Sequence, residues 1–139
     1  ISACSQSLVE GEWIIGDLRD INHIKTLVQN TSTLIHLACT SNPRSSNENI
    51  IYDLEQNLLP TIRLFETFSS NCPGGHIIFT SSGGNMYDAN IKGVVRNEED
   101  IPQPRSSYAT HKLAIEHYLR QFCESYEIRG TILRISNPY

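Results

Sequence analysis

The segment His76-Ile77-Ile78-Phe79-Thr80-Ser81-Ser82-Gly83-Gly84 passes from apolar residues to hydroxyls and glycines within a few positions. Its first half, His76 to Thr80, is a short apolar run following the turn-forming Asn71-Cys72-Pro73-Gly74-Gly75, and it reads as a buried strand. The same reading applies upstream to Thr33–Leu37, to Trp13-Ile14-Ile15 between Gly11 and Gly16, and downstream to Thr131–Ile135 after Gly130. Helical spacing fills the intervals. Asp20 is a candidate N-cap for a helix with apolar Ile21, Ile24, Leu27 and Val28, closed by Asn30 and Thr31. Ile50, Leu54, Leu58, Ile62, Phe65 and Phe68 form one stripe of a longer helix, with a kink expected at Pro60. A third helix starts near Tyr108 and carries Ile115, Leu119, Phe122 and Tyr126 on one face. Strands alternating with helices imply right-handed crossovers and a parallel sheet, so the expected class is α/β, doubly wound.

The 139 residues, 39% of them hydrophobic, suffice for one domain with a core and not for two ordinary ones. With 11 basic against 15 acidic side chains and a net charge of −4, the chain lacks the basic face of a nucleic-acid binder. No apolar run approaches the ~20 residues of a membrane span, and no secretory signal is visible. Cys4, Cys39, Cys72 and Cys123 form no C-x-x-C pair, which argues against zinc or a disulfide framework and for a reducing, cytoplasmic setting. The first ten residues show no period, and a chain opening on Ile1 is expected not to open at a native start.

One connection is unusually long. Residues 81 to 107, 27 in all, separate the strand from the last helix without a helical stripe. Loops of this length tend to be functional or disordered, and this one leaves the carboxyl end of a strand, where open α/β sheets bind their ligands. Tyr108-Ala109-Thr110-His111-Lys112 closes the loop and puts Tyr108 and Lys112 on one helical face. A phenol titrates near ~10, and a neighbouring cation favours the phenolate, which could then take a proton from an alcohol. A hydroxyl of Thr80-Ser81-Ser82 could bind the same substrate oxygen, while Gly83 and Gly84 permit close backbone approach. Elsewhere plainer readings hold. His36 is expected to be a packed histidine, and His111 and His117 do not share a face, so no metal pair is implied. Asn97-Glu98-Glu99-Asp100 reads as a solvated run, and Arg105 as a surface residue or a phosphate contact.

Five segments in a fixed order extend this picture. They are Gly16-Asp17-Leu18-Arg19-Asp20, Ile35-His36-Leu37-Ala38, Asn57-Leu58-Leu59-Pro60-Thr61, Ser82 with Tyr108 and Lys112, and Leu133-Arg134-Ile135-Ser136-Asn137-Pro138-Tyr139. In them the chain resembles the extended short-chain dehydrogenase/reductases, specifically the NAD-dependent epimerase/dehydratase family typified by UDP-glucose 4-epimerase. The resemblance implies Ser82, Tyr108 and Lys112 as catalytic residues. It implies cofactor contacts from Asp17, Leu18, Leu37, Ala38, Cys39, Asn57, Tyr108, Lys112 and Ser136, and substrate contacts from Ser82, Tyr108 and Asn137. Pro60 stands where the family usually has Gly, Cys39 where Ala or Gly is frequent, and Asp88 where Gly often follows Tyr87. Ser136 replaces an aromatic residue of UDP-glucose 4-epimerase. The eight glycines fit no glycine-rich phosphate loop, so residues 1–139 are expected to be the central portion of a Rossmann-like NAD(P)-binding domain, a fragment without that loop or a substrate domain.

The activity implied is nucleotide-sugar 4-epimerisation. The resemblance implies that NAD would accept a hydride from the sugar C4 while Tyr108 takes the hydroxyl proton, and that the hydride would return to the other face. Lys112 would hold the nicotinamide ribose and lower the Tyr108 pKa. A 4,6-dehydratase, a keto-sugar reductase and a non-catalytic dinucleotide sensor remain as alternatives, as does the choice between NAD and NADP. The family also implies a homodimer through the helices near residues 50–68 and 108–126.

Overall fold

The computed structural model describes residues 11, 13–87 and 95–136. Its order is α1 (Ile21–Val28), β1 (Thr33–His36), α2 (Pro43–Glu48), α3 (Ile50–Asp53), a π turn (Leu54–Leu58), α4 (Leu59–Asn71), β2 (His76–Ser82), α5 (Ser107–Ser125) and β3 (Arg129–Ile135). The strands form a parallel sheet in the order β1-β2-β3, with Thr33 opposite His76 and His76 opposite Arg129. The fold is α/β and Rossmann-like, as expected.

Register divides the sheet into two faces. Ile77, Phe79 and Ser81 point one way, together with Leu34 and His36 across β1 and Ile132 and Arg134 across β3. This face meets α1, α4 and α5 in a single core built on Ile24, Val28, Leu64, Phe65, Phe68, Ile115, Leu119 and Phe122. On the other face Ile35, Leu133 and Ile135 are exposed. His36 is a packed histidine, stacked on Phe79 and edge-on to Phe65, with Nε2 3.0 Å from Thr61 Oγ1. Burial, and secondarily the charge of Lys112, lowers its pKa to about 4. Gly130 is a close-approach glycine: a Cβ there would lie 2.7 Å from Cys123 Sγ on α5.

Local chemistry explains the helix starts. Asp20 accepts from Asn22 N, and Ser106 from Ala109 N. Asn42 and Ser45 form a reciprocal capping box around Pro43, which starts α2.

Three expectations are corrected. Trp13-Ile14-Ile15 is not a strand, and Trp13 and Ile15 are 64% and 96% exposed. Apolar character does not make a strand without a ladder, and no described strand pairs with this segment. The expected bend at Pro60 appears as the π turn just ahead of it. A proline ring crowds the carbonyl four residues back, and the wider turn relieves that crowding. The turn also rotates the helix. Ile50 is therefore exposed and Asp53 buried, although the stripe placed Ile50 inward. Finally, β3 starts at Arg129 rather than Thr131, with Gly130 inside it opposite Ile77.

Candidate active site

Each strand delivers its carboxyl end to one edge. There Leu37, Cys39, Ser82, Tyr108, Lys112 and Ile135 border a cleft of about 300 Å³. The described parts of the long connection contain no helix. They are pinned by Gly83 N donating to Ile135 O (2.8 Å) and Gln103 N donating to Met86 O (2.8 Å). Gly83 serves this internal contact, since a Cβ there would lie 2.9 Å from Arg134 O.

Tyr108 and Lys112 stand one turn apart on α5. Lys112 is 6% exposed, and its Nζ donates to Thr80 O at 2.9 Å, 4.8 Å from the Phe79 ring centre and 5.7 Å from that of Tyr108. Burial pushes the Lys112 pKa down, against the opposing influence of Cys39 and Asp53. Tyr108 moves opposite to the sequence expectation. Burial, then Cys39 and Asp53, raises its phenol above the usual value. The ammonium donates to the Thr80 carbonyl, and burial decides the phenol's direction.

The other candidates divide. Leu37, Ala38 and Cys39 are exposed on the segment leaving β1. Ala38 and Asn57 adjoin a small cavity beside Tyr108 and Lys112. The Asn57 amide is engaged by the chain itself, with Oδ1 accepting from Thr40 N (2.9 Å) and Thr40 Oγ1 (3.2 Å). Asp17 and Leu18 are not among the residues that border the cleft. Side-chain and backbone hydrogen bonds from Arg19 hold Asp17 at a pKa of about 2, and Leu18 packs on the core. Ser136 borders a neighbouring cleft with Gly83, Tyr87 and Arg134. Asn137 lies outside the described residues.

Two buried networks are absent from the sequence reading. In one, the Asp53 carboxylate accepts from Ser41 Oγ (2.5 Å), Ser46 Oγ, Asn57 Nδ2 (2.6 Å) and His111 Nδ1 (2.7 Å). Burial alone would raise the Asp53 pKa, but these hydrogen bonds lower it overall. In the other, Glu116 accepts from Ser81 Oγ (2.6 Å) and from Arg134 Nε (3.0 Å) and Nη2 (2.7 Å). Arg134 Nη1 also donates to Tyr87 Oη at 2.6 Å. The sequence does carry signals for them: His111 precedes Lys112, Glu116 follows it by one turn, and Arg134 interrupts an apolar strand.

A parallel α/β sheet with Ser, Tyr and Lys gathered at its carboxyl edge defines a Rossmann-like domain of the short-chain dehydrogenase/reductase type. Within that class, the chain belongs to the NAD dependent epimerase/dehydratase family, which it matches over residues 2–139. It is 37% identical over 111 residues to dTDP-4-dehydro-6-deoxyglucose reductase of Escherichia coli, covering 79% of this chain and 34% of that enzyme. To a putative UDP-glucose 4-epimerase of Methanocaldococcus jannaschii it is 34% identical over 133 residues, 94% of this chain and 42% of the relative. The crystal structure of the Thermus thermophilus UDP-glucose 4-epimerase in complex with NAD superposes with a TM-score of 0.79 at 30% identity, over 86% of this chain and 39% of that one. The chain thus spans less than half the length of these relatives.

Proposed function

We propose that this chain is the catalytic portion of an NAD-dependent nucleotide-sugar epimerase of the UDP-glucose 4-epimerase kind. The observation carrying this reading is that Ser82, Tyr108 and Lys112 border one cleft at the carboxyl ends of parallel strands. The cleft also suits NAD chemically: exposed Leu37 and Ile135 offer apolar walls to a flat ring, and Tyr108 and Lys112 offer polar groups to a ribose. Leu37, Ala38, Cys39, Asn57, Tyr108, Lys112 and Ser136 would hold the cofactor, with Asp17 and Leu18 toward the adenine. When bound, NAD supplies a reversible hydride acceptor.

The protein's own part is proton transfer and alignment. Ser82 Oγ hydrogen-bonds the reacting sugar oxygen, and Asn137 adds a second polar contact to the substrate. Tyr108 Oη takes the hydroxyl proton and returns it later in the same turnover, so no acid or base is consumed. Burial holds the phenol protonated in the free chain, and ionisation therefore needs the positive charge of Lys112 directed at Oη. Gly83 and Gly84 follow Ser82 and carry no acid–base group, which disfavours a 4,6-dehydratase.

A keto-sugar reductase is the second reading, favoured by the 37% identity to the E. coli reductase. Incubating the whole protein with UDP-glucose separates the two. An epimerase forms the 4-epimer without net NADH. Stoichiometric oxidation of reduced cofactor by a 4-keto sugar, with no epimer formed, would replace this proposal with the reductase. We also place the protein in the cytoplasm, since Cys39, Cys72 and Cys123 are unpaired thiols. No helix among the described residues is long and apolar enough to cross a membrane.

A further inference from the structure

We propose that Asp53 and His111 form a buried strut that positions the cofactor segment, residues 37–41, beside Tyr108 and Lys112. Asp53 is 2% exposed, and its four donors come from four different parts of the chain. Ser41 belongs to the segment leaving β1, Ser46 to α2, Asn57 to the π turn and His111 to α5. Asn57 extends the connection, giving Nδ2 to Asp53 and Ser41 while Oδ1 receives both Thr40 N and Thr40 Oγ1. The segment between Ala38 and Asn42 is thereby tied to the helix that carries Tyr108 and Lys112.

The strut adjoins the site. Asp53, Asn57 and His111 line the small cavity that Tyr108, Lys112 and Cys39 also line. Geometry explains the choice of groups. A buried carboxylate offers only acceptors, matching four converging donors, and an imidazole Nδ1–H reaches it from α5. An amide at position 53 would face those donors with donors of its own. At position 111, asparagine would present Nδ2 where the imidazole presents Nδ1, whereas leucine presents nothing. His111 also sits directly before Lys112 and one turn after Tyr108, so tension on the strut acts on the same turn of α5.

The inference rests on the proposed NAD-dependent function, and its test separates the two. In the whole protein, Asp53→Asn is expected to weaken NAD binding at least tenfold by calorimetry. It should also speed amide hydrogen exchange at Thr40, whose N–H the Asn57 amide holds, with β2 amides unchanged. His111→Leu should behave alike, and His111→Asn should stay within threefold of the parent affinity. Unchanged NAD affinity in Asp53→Asn and His111→Leu would overturn the strut, as would equal losses in His111→Leu and His111→Asn. Should the parent protein not bind NAD, the functional reading falls. The strut is then judged by exchange alone, and unaltered protection of Thr40 in Asp53→Asn overturns it. Should Asp53→Asn fail to fold, the two His111 variants carry the same comparison.

Discussion

Replacing Arg134 by methionine perturbs the site at its most buried charge. Glu116 has 0% exposure, and Arg134 supplies the two strong charged hydrogen bonds to it, at 3.0 and 2.7 Å. What remains in the variant is Ser81 Oγ at 2.6 Å and Arg120 Nη2 at 3.4 Å, the latter on a half-exposed side chain. Removing one partner of a buried ion pair typically costs about 3–5 kcal/mol, because it strands the other charge. A whole domain is stable by only ~5–15 kcal/mol, so the loss should be obvious in urea unfolding. The double variant Glu116→Leu/Arg134→Met should recover most of it, leaving about 2 kcal/mol for the hydroxyls of Ser81 and Tyr87 that lose a partner.

The pH dependence makes this test sharper. In the parent, burial raises the Glu116 pKa, while the hydrogen bonds from Arg134 and Ser81 and the charges of Arg134 and Arg120 outweigh it, so the folded value lies below the usual 4.5. Its contribution to stability is present above pH 4.5 and lost as pH falls through the depressed folded value. Without Arg134 burial prevails, and the folded value rises above the unfolded one. The variant then loses stability as pH rises from the unfolded value through the raised folded one, so its deficit grows as pH rises above 4.5. A deficit under about 1 kcal/mol at pH 7, or one independent of pH, would refute the account of Glu116 as a charge sustained by Arg134.

Four further outcomes are expected. Tyr108→Phe in the whole protein should lower turnover by at least ~10²-fold with NAD affinity little changed, since it removes the proton acceptor; near-normal epimerisation in a coupled assay would contradict the proposed role. Ser82→Ala should reduce turnover with little loss of stability, whereas Ser81→Ala should cost about 1–3 kcal/mol in urea unfolding by depriving buried Glu116 of a donor. The His36 ring should titrate by NMR near pH 4, and stability should fall by about 3 kcal/mol between pH 6.5 and 4 as the unfolded chain takes up the proton that the folded ring refuses; a midpoint near 6.5 would contradict the burial argument. Ile51 and Tyr118 lie exposed on α3 and α5, so in the homodimer that the family resemblance implies, Ile51→Glu with Tyr118→Glu should give a monomer in sedimentation velocity; a parent protein already monomeric at high concentration would remove that expectation.

Features governed by local chemistry were the legible ones. The Asp20 cap and the spacing of Ile24 and Val28 sufficed for α1, and the contrast between Ile77-Ile78-Phe79 and the flanking turn sufficed for β2. Helical spacing put Tyr108 and Lys112 on one face, which the structure keeps. What escaped depended on partners distant in sequence. Burial of Asp53 follows from the extra residue of the π turn, which no count of apolar positions registers. The Glu116–Arg134 pair joins residues 18 positions apart, and each looks unremarkable alone. Trp13-Ile14-Ile15 misled for the reverse reason, an apolar run read as a strand with no ladder to join among the described strands.

The period of a strand accounts for how closely structure and chemistry can be set together here. Successive residues of β2 face opposite sides of the sheet, so the adjacent hydroxyls of Ser81 and Ser82 serve different ends. Ser81 shares its side with Arg134 and reaches Glu116 beneath α5, while Ser82 pairs in register with Ile135 at the cleft. Between them in role is Thr80, whose carbonyl receives the Lys112 ammonium and whose hydroxyl donates to His36 O on β1. Three consecutive residues thus secure the helix that carries Tyr108, aim its lysine, and present a hydroxyl to the cleft. A slip of one residue in the pairing of β2 would exchange the duties of Ser81 and Ser82 and bury Ile78 in place of Phe79. The aromatic contacts of Phe79 with His36, Phe65 and Lys112 oppose such a slip, and packing well behind the cleft therefore fixes which serine is available for chemistry.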